Sequence, residues 1–242
     1  MTTQSPTTVR VAVSELLRFF DERPLESIGH ASAITGVLGE DIAAALVRHC
    51  LEARGATVTI HPESVTTGNR RGHRLDRWIE VRDGEAHVLY QTEIKSWCAH
   101  SFGGRSLAID VAPDTLATFR IERWERQWDA TLATFRAVEC RKVVEAMRVP
   151  PSLASLPVRP LLCFWEAMHP EGKAEPVFDV AIQSDDFSVV TVFSASNYLR
   201  GLAVEALTLD MPGADARMLW LATLVPSWSG EAPAVTDAGT PP

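Results

Sequence analysis

The 242-residue sequence predicts an α/β fold in which a mixed central β-sheet is flanked by helices. Three stretches carry that expectation. Residues 39–54 place Ile42, Ala43, Leu46, Val47, Cys50 and Leu51 at helical spacing. Residues 72–94 form two strand-like runs on either side of Asp83-Gly84, a hairpin turn signal. Beyond residue 157, several apolar and β-branched runs alternate with turn residues. At 46% hydrophobic, the chain can bury a sizeable core as a single domain over residues 11–229. A disordered lead over residues 1–10 and a proline- and alanine-rich disordered tail over 230–242 bracket it.

In chain order, Val11 to Phe20 reads as a helix with Val13, Leu16, Leu17 and Phe20 on one side, ended by Asp21-Glu-Arg-Pro24. The second helix, from about Gly39 to Arg54, carries a wide apolar stripe, and Gly55 suits the left-handed position past a helix end. Glu40 falls in its first turn, where the helix dipole favours an acid whether or not that acid does chemistry. Thr57-Val-Thr-Ile60 alternates and is β-branched, as a strand should be.

A glycine-broken loop follows, with Arg70, Arg71 and Arg74 and, just beyond, Arg77. In isolation such a run is a solvated charge cluster; beside a metal site it is where phosphate clamping is expected, and His73 reads first as a surface histidine, with a phosphate contact or a base as alternatives. In Val88 to Trp97, strand alternation places Gln91, Glu93 and Lys95 on one face and Tyr90, Thr92 and Ile94 on the other. A carboxylate and an ammonium at the end of an apolar strand are costly unless they pair, bind a metal or meet water in a cleft. Antiparallel pairing across the hairpin would bring Asp76 beside Glu93, so that two carboxylates and a lysine converge.

Cys98 and His100 lack a second pair at zinc-ligand spacing, and Gly103-Gly104 is too weak a signal for a phosphate loop. Residues 113–148 read as one long helix: Leu116, Phe119, Trp124, Trp128, Leu132, Phe135 and Val138 recur at three- and four-residue steps. Its basic residues, Lys142 among them, alternate with acids as on a solvent face laced by ion pairs, and Trp124 and Trp128 read as core anchors. After the linker 150–157, strands are expected over 158–168, 178–182 and 187–193, a helix start over 194–202, and a last strand over 218–225.

Asp76 followed across a hairpin by Glu93-Ile94-Lys95 resembles the Asp…Glu-x-Lys signature of the PD-(D/E)xK nuclease superfamily, which includes restriction endonucleases and Holliday-junction resolvases. The preceding segment 39–55 is similar to the opening helix of resolvase-like members, with Glu40 in place of their early glutamate. The resemblance covers roughly residues 36–97; one departure is Leu75, where the family's name-giving proline would stand. It implies a restriction-endonuclease-like core with a helix after the Glu-x-Lys strand. It further implies a metal-dependent DNA endonuclease. Asp76 and Glu93 would bind Mg2+ (or Mn2+ as substitute) directly, the Ile94 carbonyl would add an oxygen, and Glu40 would bind directly or through water. Lys95 would orient the attacking water or stabilise the phosphate charge, and Gln91 would contact substrate or the lysine. Arg70, Arg71, Arg74 and Arg77 would contact DNA. Two alternatives stay open: a nuclease for RNA or modified DNA, and a catalytically silent nucleic-acid-binding or scaffold protein on the same fold. Family analogy also suggests a homodimer or a place in a larger complex.

The formal charge of −8 argues against a coat protein that binds nucleic acid through many phosphate contacts, so any such affinity must be local or depend on metal. Cys50, Cys98, Cys140 and Cys163 are widely spaced and read as reduced, mostly buried thiols. With no secretory-type start and no apolar run long enough to span a bilayer, the expectation is a cytoplasmic protein without a membrane partner.

Overall fold

The computed structural model describes residues 8–22, 39–61, 75–95, 112–136, 138–211 and 214. In chain order these form β1 (Thr8–Ala12), α1 (Val13–Glu22), α2 (Glu40–Glu52), β2 (Thr57–Ile60), β3 (Arg77–Asp83) and β4 (Ala86–Lys95). Then follow α3 (Pro113–Gln127), β5 (Trp128–Asp129), β6 (Thr134–Phe135), α4 (Val138–Val143), β7 (Val158–Phe164), β8 (Val177–Ala181), β9 (Val189–Ser194), α5 (Ala195–Arg200) and β10 (Ala206–Asp210).

Six strands make one mixed sheet in the order β2-β3-β4-β7-β9-β8. The strands β2, β3 and β4 run antiparallel to one another in turn; β7 is parallel to β4, β9 is parallel to β7, and β8 closes the far edge antiparallel. Gly84, at φ 56°, makes the two-residue turn between β3 and β4, where a β-carbon would be strained. The chain crosses from β4 to its parallel neighbour β7 through α3 and α4, as a parallel pair requires a long connection.

Both faces of the sheet are covered, which explains why β7 is apolar at almost every position rather than alternating. On one face Leu46, Val47 and Cys50 of α2 pack with Ile79, Ile94, Leu161 and Cys163. On the other, Trp78, Leu89, Leu162 and Phe164 pack with Trp124, Trp128, Phe135 and Val143. Trp124, Trp128, Cys50, Cys140 and Cys163 are buried, the three cysteines as free thiols, as the sequence leads one to expect; Cys98 lies outside the described residues.

Two expectations are corrected. The long helix over 113–148 is broken: α3 stops at Gln127, a hairpin of two-residue strands intervenes, and α4 is short. The break has a local cause. Asp129 Oδ1 accepts the backbone N–H of Thr131 and of Leu132, each at 3.1 Å, which offers those amides an alternative to the helix ladder. Ala133 then takes φ 45°, and the turn returns Phe135 onto Trp128 with ring centroids 4.9 Å apart. At the start of the chain, residues 8–12 form a strand rather than a lead into a helix, because β1 pairs antiparallel with β10, Val9 opposite Leu209 and Val11 opposite Leu207. That partner strand, too, went unanticipated; the strand expected over 218–225 lies outside the described residues, as do residues 1–7 and the tail. No helix among the described residues is long and apolar enough to cross a membrane.

Candidate active site

The strand register builds the site. Arg77 pairs with Thr92, so Asp76, one step before β3, stands opposite Glu93, and cross-strand partners in an antiparallel pair share a face. Asp76 Oδ2 accepts the backbone N–H of Ile94 at 2.7 Å, which ties the loop end to the strand. The N–H and C=O of one strand residue project to the same side, so the Ile94 carbonyl points toward the Asp76 side of β4 as well. On the shared face, Lys95 Nζ donates to Glu93 Oε1 at 2.5 Å. These bonds leave Asp76 Oδ1 and Glu93 Oε2 without hydrogen-bond partners among the described residues.

The electrostatics follow from burying too much acid in one place. Burial and then the charge of Glu93 push the Asp76 carboxyl up from 3.8 to about 6, against the Ile94 amide and the charges of Lys95 and Arg77. Glu93 is also pushed up by burial, with the charge of Glu40 adding to it; the hydrogen bond and charge of Lys95 and the charge of Lys142 pull the other way. Burial works against the Lys95 ammonium, yet the hydrogen bond and charge of Glu93 and the charge of Asp76 raise its pKa overall. Both partners of the Glu93–Lys95 pair therefore hold their protons more firmly, Glu93 chiefly because it is buried and Lys95 because of the carboxylates beside it.

Glu40 reaches this pocket from the first turn of α2. Its carboxyl is exposed at the rim, with Oε2 3.9 Å from Arg77 Nη1, and its charge acts on Glu93. Among the described residues, no three His, Cys, Asp or Glu side chains form a group that could hold a metal ion as they stand. The donor set nevertheless fits a hard divalent cation: two carboxylate oxygens are open, a backbone carbonyl faces the same side, and the excess negative charge is what a cation would relieve. Asp76 Oδ1, Glu93 Oε2 and the Ile94 carbonyl are the groups that could hold it, with Glu40 outside the inner group.

Two sequence expectations are corrected. Arg77 does not reach toward nucleic acid; it is 2% exposed, and its Nη2 is 2.8 Å from Oδ1 of Asp41, itself 3% exposed. Strand alternation already carried this signal, since a neighbour of Asp76 must point to the opposite face, where α2 packs. Gln91 does not meet substrate or lysine. It is fully buried, its Nε2 donates to the carbonyls of Val143 and Glu145, and its Oε1 accepts the Met147 N–H at 3.2 Å. Arg70, Arg71, Arg74 and His73 lie outside the described residues.

Sequence reasoning missed Lys142, which it placed on a solvent face; it is half-buried on α4, and its charge acts on Glu93. Asp179 and Asp186 stay away from the site, bonded to Thr191 and to the Ala146 amide. Neither the models of known protein families, nor the curated proteins, nor the solved structures include a match to this chain.

Proposed function

We propose that the chain is a metal-dependent endonuclease that hydrolyses phosphodiester bonds in DNA, built on a restriction-endonuclease-like core. The observation that carries this reading is the register that sets Asp76 against Glu93, with Lys95 bonded to the latter at the end of the same strand. The order of elements supports it: a helix bearing Glu40, three antiparallel strands, a helical crossover, and a fourth strand parallel to the Glu-x-Lys strand.

Magnesium, when bound, would neutralise charge on the phosphate and make a coordinated water more acidic. Asp76 and Glu93 would hold it through their open oxygens, the Ile94 carbonyl would add a third donor, and Glu40 would reach it through water. Lys95, whose surroundings keep it protonated, is unsuited to accept the proton of the attacking water. Its role is to donate: it orients that water and meets the negative charge that grows on the phosphoryl oxygens as one P–O bond forms and the other breaks. The proton leaves to solvent or to a carboxylate oxygen.

A second reading is a catalytically silent nucleic-acid-binding or scaffold protein on the same fold, favoured by the closed Glu93–Lys95 pair and by the lack of a ready three-ligand group among the described residues. Cleavage of plasmid, single-stranded DNA and RNA with and without magnesium separates the two. An active parent with Asp76→Ala and Lys95→Ala variants slowed by at least about a hundredfold supports the enzyme. A purified parent inert on every substrate supports the silent module, and activity on RNA alone changes the substrate class.

A further inference from the structure

Lys142 is half-buried and immediately precedes Val143, whose carbonyl is bonded by Gln91 on the strand that carries Glu93; its charge acts on Glu93, and its ammonium has no hydrogen-bond or ion-pair partner among the described residues. A cation in that state is unusual beside an acidic pocket, because a flexible lysine with nothing to hold it would normally swing to solvent or close onto the nearest carboxylate. The backbone that carries it is fixed in place. The buried Gln91 amide grips the carbonyls of Val143 and Glu145 and the N–H of Met147, so the end of α4 is fixed to β4 two residues upstream of Glu93. Glu93 is already bonded by Lys95, so Lys142 is not needed as its ion-pair partner.

We propose that Lys142 is a substrate-binding residue, carried beside the site on the helix end that Gln91 clamps, to take a phosphate oxygen of the nucleic-acid backbone. The inference rests on the nuclease reading for the identity of the anion, a phosphodiester. An ammonium on a helix end suits that partner as a point charge without base preference. It also answers a problem the pocket poses: three carboxyl groups repel a polyanion, and Lys95 is committed to one of them. A second positive charge, standing apart from the pair, gives the backbone a place to dock.

The test measures binding as well as turnover. Binding of a fluorescent DNA duplex is followed against salt concentration in an Asp76→Asn background, with and without magnesium, for Lys142→Ala, Lys142→Gln and Lys142→Arg. The expected result is about tenfold weaker binding for Ala and Gln, equal across unrelated sequences, with the salt slope reduced by about one and both restored by Arg. In the otherwise native chain, Lys142→Ala should raise KM while kcat changes little. Unchanged affinity and salt slope in both Ala and Gln variants would overturn the proposal and leave the nuclease reading intact. An inert parent that still loses binding on Lys142→Ala would sustain Lys142 as a phosphate contact while the enzyme reading fails. A thermal-unfolding midpoint lowered in step with affinity, and not rescued by Arg, would mark Lys142 as structural and overturn the proposal.

Discussion

Asp76 is stabilised least when it is ready to act. Its folded pKa of about 6 lies above the ordinary 3.8, so folding favours the protonated carboxyl. The favourable contribution is complete below about pH 4 and is lost as pH rises through about 6, beyond which a charged, buried carboxylate weighs against the fold. Asp76→Asn keeps an oxygen to accept the Ile94 N–H and removes the charge. In EDTA it should therefore raise stability by about 1–3 kcal/mol at pH 8 and by nothing measurable near pH 4, read from urea unfolding. If a divalent ion occupies the pocket, magnesium should raise the melting temperature of the parent at pH 8, less so near pH 5, and leave the Asn variant unmoved. The neighbouring residue has the opposite economy. Arg77 and Asp41 are both almost fully buried and paired at 2.8 Å, so Asp41→Ala takes the nearest carboxylate from a buried guanidinium and should lower stability by about 3–5 kcal/mol, while Arg77→Met with Asp41→Leu should recover much of the loss.

Between residue and domain, the joint of α4 with β4 matters most to the site. A single buried amide satisfies three backbone groups at and just past the end of α4, an arrangement whose loss removes all three bonds at once. Gln91→Leu is close in volume and should cost about 2–4 kcal/mol, with faster hydrogen exchange at the Met147 amide while the amides of β3 stay protected. The break between α3 and α4 shows the same dependence on context. Helical spacing of the aromatics through residues 124–135 is present in the sequence, yet Trp128 and Phe135 face one another across a short hairpin and join Phe164 and Phe178 through Trp124. Asp129 capping the turn is a local cue that periodicity does not weigh.

Across the whole molecule, the two ends of the described chain hold each other: β1 pairs with β10, and Val9 and Val11 lean on the core that Leu207, Leu209 and α2 share. Deleting residues 1–12 should unpair β10 and expose those leucines, lowering stability by about 2–5 kcal/mol and increasing binding of a hydrophobic dye, whereas deleting residues 1–6 should do neither. This pairing joins positions about two hundred residues apart, such as Thr8 and Asp210, and no local pattern announces it.

The chain's own order of residues determined the elements whose signal is local: the apolar stripe of α2, the Asp83-Gly84 hairpin, the buried runs of β7 and β9, and through alternation the common face of Glu93 and Lys95. Asp76 was legible for the same reason, since a tight hairpin fixes register and register fixes who stands opposite whom. What tertiary structure alone decided was direction and partnership among charged and polar groups. Arg77 turned inward to Asp41, Gln91 was consumed by the backbone at the end of α4, and Lys142 came within reach of the charge on Glu93. The physical reason is that apolar patterning fixes which face of an element is buried. The charges that end up side by side depend on how distant elements are stacked, which sequence spacing does not encode.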